Sequence, residues 1–127
     1  MGYWPDPSTV VITDAIGPGP NAKHTRHSFY PDAEYHNDEI ERIYAASGRL
    51  HTYLGDWHTH PNGSARTSRK DRKTLTAIAS DPEARAPKPL MAILAGNEDW
   101  KLAIWSWEAK DFFWLAKIAL ASVTSFD

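Results

Sequence analysis

Apolar and polar residues change their spacing several times along the chain, and each change predicts a new element. The segment Ser8–Ile16 is short, apolar and β-branched, which is typical of a strand. Gly17–Ala22 contains two glycines and two prolines, so we expect irregular chain there. From Asn37 onward, apolar residues recur at helical spacing. This pattern predicts a helix with Asn37 as its N-cap and Gly48 just past its C-terminus.

A second extended stretch, Leu50–His60, leads into a second helix. Pro61 is expected to end the strand, because proline has no N–H to donate to a ladder. Ser68 and Asp71 stand three residues apart, the spacing of a capping box with aspartate in place of glutamate. The apolar residues that follow recur at helical spacing and predict a helix over Arg69–Ser80.

The C-terminal part is predicted to form a hairpin followed by a tail of undecided structure. After a loop at Asp81–Pro89, the apolar run Leu90–Ala95 is typical of a buried strand. Gly96–Asp99 turns the chain into a second strand, Trp100–Trp107. Periodicity does not distinguish helix from strand in the tail from residue 112 to 127. Together these elements predict an α+β fold in which helices pack on a sheet.

The composition is that of a soluble globular protein, with 42% hydrophobic and 24% charged residues in a chain of 127. We therefore expect a single domain over residues 1–127. The net charge of −2 gives no reason to expect nucleic acid or an anionic membrane as a partner. We see no transmembrane run and no secretory signal, so we expect a cytoplasmic protein. Since the chain has no cysteine, a bound metal would need His, Asp or Glu ligands.

The stretch "GDWHTHPNGSARTSRKD" holds the candidate chemistry. Residues two apart in a strand face the same side, so His58 and His60 can aim both imidazoles at one point, with Thr59 on the opposite face. Asp71 can reach that point as a third, anionic ligand. Two histidines and one carboxylate are typical of a catalytic zinc site, in which the pKa of a bound water falls to about 7. Ser68 would then be placed to donate to a developing oxyanion.

Each of these features also has a simpler interpretation. A pair of histidines can be structural or solvent-facing, and Ser68 and Asp71 are explained by helix capping alone. The combination with Pro61 and the fixed spacing favours the metal site.

The same residues resemble a known signature. "HTHP", six further residues and then "SRKD" resemble the JAMM motif of the JAB/MPN zinc metalloproteases. The wider segments "VVITDAIGPGPNAKH" and "YLGDWHTHP" are similar to the prokaryotic branch of these domains, so the resemblance covers most of the chain. It implies zinc bound by His58, His60 and Asp71, with Ser68 assisting at the oxyanion. It also implies a mixed β-sheet flanked by helices, the JAB/MPN architecture that is similar to cytidine deaminases.

The resemblance further implies a peptidase or isopeptidase activity. Members of the prokaryotic branch occur beside bacterial ubiquitin-like conjugation and antiphage signalling systems, where some remove a protein from its conjugated target. The expected substrate is therefore a protein or peptide, such as a ubiquitin-like conjugate.

The family's general base is a glutamate shortly upstream of a glycine-rich strand. Here "MGYW" resembles the end of that strand, so we expect the glutamate and its preceding helix to lie before Met1. Loss of that helix would expose apolar surface, from which we expect a homodimer. Four carboxylates of the chain could serve as substitutes, but none stands at the family's position: Asp14, Glu34, Glu39 and Asp56. Asp56 is instead expected to orient a ligand from outside the metal shell.

Two other functions remain open from the sequence. One is a non-catalytic JAB-like module that binds zinc or a protein partner. The other is a metal phosphoesterase using the histidine pair, although such sites usually collect more carboxylates and a second metal.

Overall fold

The computed structural model describes residues 1–26, 28–109 and 116–125. The chain divides into two compact units, residues 1–53 and 54–127. The expectation of a single domain over residues 1–127 stays a prediction. In the described part of the chain, neither helix has the length and hydropathy that crossing a bilayer requires.

The first unit contains two small hairpins and one helix: β1 (Gly2–Asp6), β2 (Thr9–Ile12), β3 (Lys23–His24), β4 (Phe29–Tyr30) and α1 (Ala33–Ala46). Strands β1 and β2 pair antiparallel, as do β3 and β4. The strand predicted over Ser8–Ile16 is confirmed only within Thr9–Ile12. The strand ends at Ile12, opposite Gly2, and one further backbone bond follows it, from the Thr13 N–H to the Met1 carbonyl at 3.0 Å.

The predicted start of the first helix was wrong. Helix α1 begins four residues before Asn37, and its N-cap is Asp32, whose carboxylate accepts a hydrogen bond from the Tyr35 N–H at 3.2 Å. The other carboxylate oxygen accepts from the Asn21 N–H at 3.0 Å. Asp32 therefore caps the helix and also holds the preceding loop against it. The spacing of apolar residues does not reveal this second hydrogen bond.

The predicted end of α1 is confirmed at Gly48. Its φ of +68° is the left-handed geometry that glycine adopts without strain. The Gly48 N–H donates to the Ala45 carbonyl at 3.1 Å, and the Arg49 N–H donates to the Tyr44 carbonyl at 2.8 Å. These two bonds form a Schellman motif, which satisfies carbonyls at the end of the helix.

The second unit is a four-stranded sheet with one helix: β5 (Gly55–Pro61), α2 (Arg69–Ser80), β6 (Leu90–Gly96), β7 (Lys101–Ala109) and β8 (Ala116–Leu120). The strand order is β5-β6-β7-β8. Strand β5 runs parallel to β6, and the other neighbours are antiparallel. The α+β class predicted from the sequence pattern and the mixed sheet implied by the family resemblance are confirmed.

Most predicted elements of this unit are confirmed, with two changes. Helix α2 and the β6–β7 hairpin match the prediction closely. Strand β5 begins at Gly55 rather than Leu50, because its partner β6 begins opposite Gly55, at Leu90. The undecided tail forms a strand at Ala116–Leu120, and the predictions for 112–115 and 126–127 lie outside the described residues.

The core of the second unit lies between α2 and the sheet. Leu75 of α2 packs with three buried residues of β6, namely Met91, Ile93 and Ala95. Half-buried side chains from the loop before α2 and from β7 and β8 pack around this cluster: Ala65, Trp105, Trp107 and Ile118. The core therefore reaches from helix α2 across the face of the sheet.

Candidate metal centre

Strand β5 presents two histidines to the core face of the sheet. In the parallel pairing of β5 with β6, His58 lies beside Ile93 and His60 beside Ala95. Neighbouring residues in register project to the same face of a sheet, and Ile93 and Ala95 belong to the buried core. Both imidazoles are half-buried on that face, and Thr59 between them is exposed. The strand periodicity predicted from the sequence is confirmed.

Helix α2 directs Asp71 towards the same face. Leu75 is fully buried against β6, and Asp71 stands four residues earlier in the helix. Residues four apart share one face of a helix, so the packing of Leu75 also turns Asp71 towards the sheet. Asp71 is only 8% exposed, which makes it a buried carboxylate.

The three side chains converge. His58 Nε2 lies 3.0 Å from His60 Nε2 and 3.1 Å from Asp71 Oδ1. His60 Nε2 lies 3.4 Å from Asp71 Oδ2. Within the described residues, this is the group of His, Cys, Asp or Glu side chains whose ligand atoms come close enough to hold one metal ion. The three residues predicted from the sequence to bind a metal are brought together.

A backbone carbonyl fixes the orientation of one imidazole. His60 Nδ1 lies 2.9 Å from the Ser64 carbonyl oxygen. Since a carbonyl only accepts, the hydrogen of the neutral ring is assigned to Nδ1, and Nε2 keeps its lone pair for the cluster. A ligating histidine commonly donates its second ring N–H in this way. Sequence reasoning missed Ser64, because a backbone carbonyl leaves no signal in residue type.

Ser68 and Asp71 form the predicted capping box. The Ser68 N–H donates to Asp71 Oδ2 at 2.7 Å, and the Asp71 N–H donates to Ser68 Oγ at 3.1 Å. Burial by itself would raise the pKa of Asp71, but the hydrogen bonds from Ser68 and the nearby His58 and His60 lower it overall. The carboxylate is therefore ionised at neutral pH, the form that binds a metal.

Burial has the opposite consequence at His58. Removal of the imidazole from water lowers the pKa of His58, and this outweighs the raising influence of Asp71. His58 is therefore neutral at pH 7. A neutral imidazole offers a lone pair, which a metal ligand requires.

The four carboxylates that could substitute for the general base lie at different places in the fold. Asp56 precedes His58 by two residues in β5, and its charge acts on the pKa of His58. Asp14 and Glu39 lie in the first unit, where Asp14 accepts from Thr13 at 2.7 Å and Glu39 pairs with Arg42 at 2.8 Å. Glu34 stands in the first turn of α1.

Comparison with known proteins agrees with this geometry. The family described as "Prokaryotic homologs of the JAB domain" matches residues 6–110. The chain is 50% identical to "Probable metalloprotease y4qB" of Sinorhizobium fredii over 107 residues, which are 83% of this chain and 65% of that protein.

Two further relatives are each named "CD-NTase/cGAS isopeptidase". The relative from Enterobacter hormaechei is 40% identical over 45 residues, 35% of this chain and 25% of that protein. The relative from Vibrio cholerae is 25% identical over 118 residues, 92% of this chain and 64% of that protein. The chain thus spans less than two thirds of the length of each of these three relatives. The family match covers most of the chain and includes all three clustered side chains, so this chain belongs to the prokaryotic JAB family.

Proposed function

We propose that this chain is a zinc-dependent metallopeptidase of JAMM type that hydrolyses a peptide or isopeptide bond. The observation that carries the proposal is the convergence of His58, His60 and Asp71 to within 3.0–3.4 Å of one another. Membership of the prokaryotic JAB family and the printed name of the metalloprotease relative support hydrolysis as the reaction.

The spacing of the three side chains supports zinc as the metal. Tetrahedral zinc with bonds of about 2.0–2.1 Å separates its ligand atoms by about 3.3–3.4 Å. The observed separations of 3.0, 3.1 and 3.4 Å lie near that value, although the two histidines face different oxygens of Asp71. Two imidazoles and one carboxylate also form a common donor set of catalytic zinc sites, which leaves a fourth position open.

The residues of the site have separate roles in this proposal. Zinc, when bound, supplies a Lewis acid that activates water at neutral pH and polarises a carbonyl. His58, His60 and Asp71 hold the metal, and the Ser64 carbonyl keeps His60 in the ligating orientation. Ser68 Oγ accepts from the Asp71 N–H, and a side-chain hydrogen bond from Ser68 also helps to lower the pKa of Asp71. We assign the Ser68 hydroxyl, once it turns from Asp71, to donation to the developing oxyanion, the role that the family resemblance implies.

Amide hydrolysis also needs a group that carries a proton to the leaving nitrogen. The family resemblance assigns this role to a glutamate upstream of the glycine-rich strand. The alternative function is a zinc-binding module that does not cleave, and the cleavage assay below distinguishes the two.

The substrate class that we propose is a ubiquitin-like protein joined to its target through an isopeptide bond. Two of the relatives carry the name isopeptidase, which supports this bond type. The side chains of His58 and His60 are 32% and 25% exposed, so an extended substrate tail can reach the metal from solvent. The homodimer and the cytoplasmic location stay predictions, and light scattering on the purified protein measures the first of them.

An isopeptide cleavage assay tests the proposed function. The zinc-loaded protein should release a ubiquitin-like protein from a lysine conjugate, and His60→Ala should reduce cleavage to background. His24→Ala, at an exposed histidine of β3, is the matched control and should retain full activity. Cleavage that is indifferent to His60→Ala would contradict the zinc mechanism. Zinc binding without cleavage would favour the non-catalytic module.

A further inference from the structure

The loop that joins strand β5 to helix α2, residues 62–67, is tied to its surroundings at successive positions. The Asn62 N–H donates to the Gly96 carbonyl at 2.7 Å, and the Gly63 N–H donates to the His60 carbonyl at 3.1 Å. Asn62 adopts a φ of +58°, a conformation in which asparagine is less strained than most residues. The loop therefore leaves the strand through a defined turn.

Two consecutive carbonyls of this loop are then held by side chains. The Ser64 carbonyl accepts from His60 Nδ1 at 2.9 Å. The next carbonyl, that of Ala65, accepts from the Trp105 indole N–H at 2.8 Å. Because the two carbonyls belong to adjacent residues, the position of one restricts the position of the other.

Trp105 is itself anchored in the middle of the sheet. It lies in β7 and pairs with Met91 of β6 on one side and with Leu120 of β8 on the other. Both Trp105 and Ala65 pack against the buried core cluster. The indole N–H is thus held by a paired strand, and it offers the loop a fixed donor.

We propose that Trp105 is a positioning residue for the metal centre: its indole N–H holds the 62–67 loop so that the Ser64 carbonyl orients His60. This role rests on the proposed zinc site. Trp105 lies in β7, whereas the proposed ligands lie in β5 and α2. Loss of the N–H would leave the Ala65 carbonyl without this donor and would let the Ser64 carbonyl move relative to His60. Groups that orient metal ligands typically change metal affinity by about 10–100-fold when they are removed. Since Trp105 acts through one further residue, we expect about a tenfold loss.

A neighbouring tryptophan provides a matched control. Trp107 lies two residues further along β7 and packs against the same core cluster. Its Nε1 is buried and has no hydrogen-bond partner among the described residues. Trp105→Phe and Trp107→Phe therefore remove similar apolar volume, but only Trp105→Phe removes a hydrogen bond to the loop.

The experiment measures zinc dissociation constants by chelator competition, and the visible absorption bands of the Co²⁺-loaded proteins. Trp105→Phe should bind zinc about tenfold more weakly and shift the Co²⁺ bands, which report ligand geometry, whereas Trp107→Phe should match wild type in both. Equal affinities and spectra for the two variants would overturn the role of Trp105 and leave the proposed zinc site intact. A wild-type protein that binds neither metal would overturn the zinc site and, with it, the role of Trp105.

A second replacement keeps the test decisive if Trp105→Phe does not fold. The benzothiophene analogue of tryptophan keeps the size of the ring system and carries sulfur in place of the N–H. Introduced at position 105, it should weaken zinc binding as Trp105→Phe does, and at position 107 it should have no effect. An analogue at position 105 that binds zinc as wild type does would overturn the proposal.

Discussion

Ser68 and Asp71 are joined by two reciprocal hydrogen bonds, of 2.7 Å from the Ser68 N–H to Asp71 Oδ2 and of 3.1 Å from the Asp71 N–H to Ser68 Oγ. The capping interpretation and the metal-site interpretation of these residues are therefore compatible. The bonds that begin helix α2 also fix the Asp71 carboxylate, whose Oδ1 lies 3.1 Å from His58 Nε2. Helix capping aligns the proposed metal ligand.

Replacement of Ser68 by alanine should lower both the stability of the protein and its kcat, and the two effects are measured separately. Ser68→Ala removes the cap of α2 and should lower the free energy of unfolding by about 1 kcal/mol, within a range of roughly 0.5–2 kcal/mol. It should also lower kcat by about 10²–10³-fold through loss of an oxyanion donor. Urea unfolding and steady-state kinetics on the zinc-loaded protein measure the two effects.

A cap in the first unit is the control for that experiment. Asp32→Ala removes the N-cap of α1 and should cost a similar free energy of unfolding, about 1 kcal/mol, without changing kcat. Ser68→Thr keeps the hydroxyl and should keep most of the activity. If Ser68→Ala retained wild-type kcat, its role at the oxyanion would be wrong.

Removal of the charge of Asp71 should disable metal binding. Asp71→Asn keeps a side-chain oxygen that can accept from the Ser68 N–H, but it loses the anionic ligand. Zinc affinity should fall by more than about 100-fold, because loss of a direct ligand costs more than loss of a group outside the metal shell, which typically costs about 10–100-fold. Asp38→Asn, at an exposed position in α1, is the control and should bind zinc as wild type does. Unchanged affinity in Asp71→Asn would exclude this carboxylate as a ligand.

Acid should destabilise the metal-free protein through His58. Its pKa is lowered in the folded state chiefly by burial, whereas in the unfolded chain it titrates at about 6.5. The unfolded state therefore binds more protons in the window between the lowered pKa and about 6.5, so stability rises with pH there. The stability that neutral His58 contributes is therefore fully present above about pH 6.5. It is lost as the pH falls from about 6.5 through the lowered pKa.

A variant without a titrating side chain isolates this contribution. In urea unfolding of metal-free protein at several pH values from 4 to 8, His58→Gln should lose less stability on acidification than wild type. If the unfolding free energies of the two proteins changed with pH in parallel, His58 would not be the source of the pH dependence.

Glycine at the start of β5 should be required for the site. Gly55 has a φ of +150°, and a Cβ there would collide with the backbone of Leu90, its partner in β6. Gly55→Ala should therefore cost about 1–3 kcal/mol or more of unfolding free energy and disturb the register that places His58 and His60. Gly17→Ala meets nothing within 4 Å and should be close to neutral. Equal unfolding midpoints for the two variants would contradict this account of β5.

Local sequence signals predicted much of the second unit. The bounds of α2 were predictable because Ser68 and Asp71 form a cap within three residues, and Leu75 lies on the apolar face that follows. The placement of His58 and His60 on one face followed from strand periodicity, which depends on local geometry alone.

The remaining features depend on contacts that residue type does not reveal. Asn37 and Asp32 are both suitable N-caps, and the bond from Asn21 to Asp32 is set by the folded loop. The start of β5 depends on where β6 begins. His60 is oriented by the backbone carbonyl of Ser64, and the next carbonyl, that of Ala65, accepts from the Trp105 indole 40 residues further along the chain. No sequence motif encodes either contact.

The zinc content of the purified protein, measured by elemental analysis beside His58→Ala and the control His24→Ala, tests the central claim most directly. The account predicts about one zinc per chain in wild type and in His24→Ala, and almost none in His58→Ala. A wild-type protein that takes up no zinc, or a His58→Ala variant that retains it, would contradict the assignment of the metal centre.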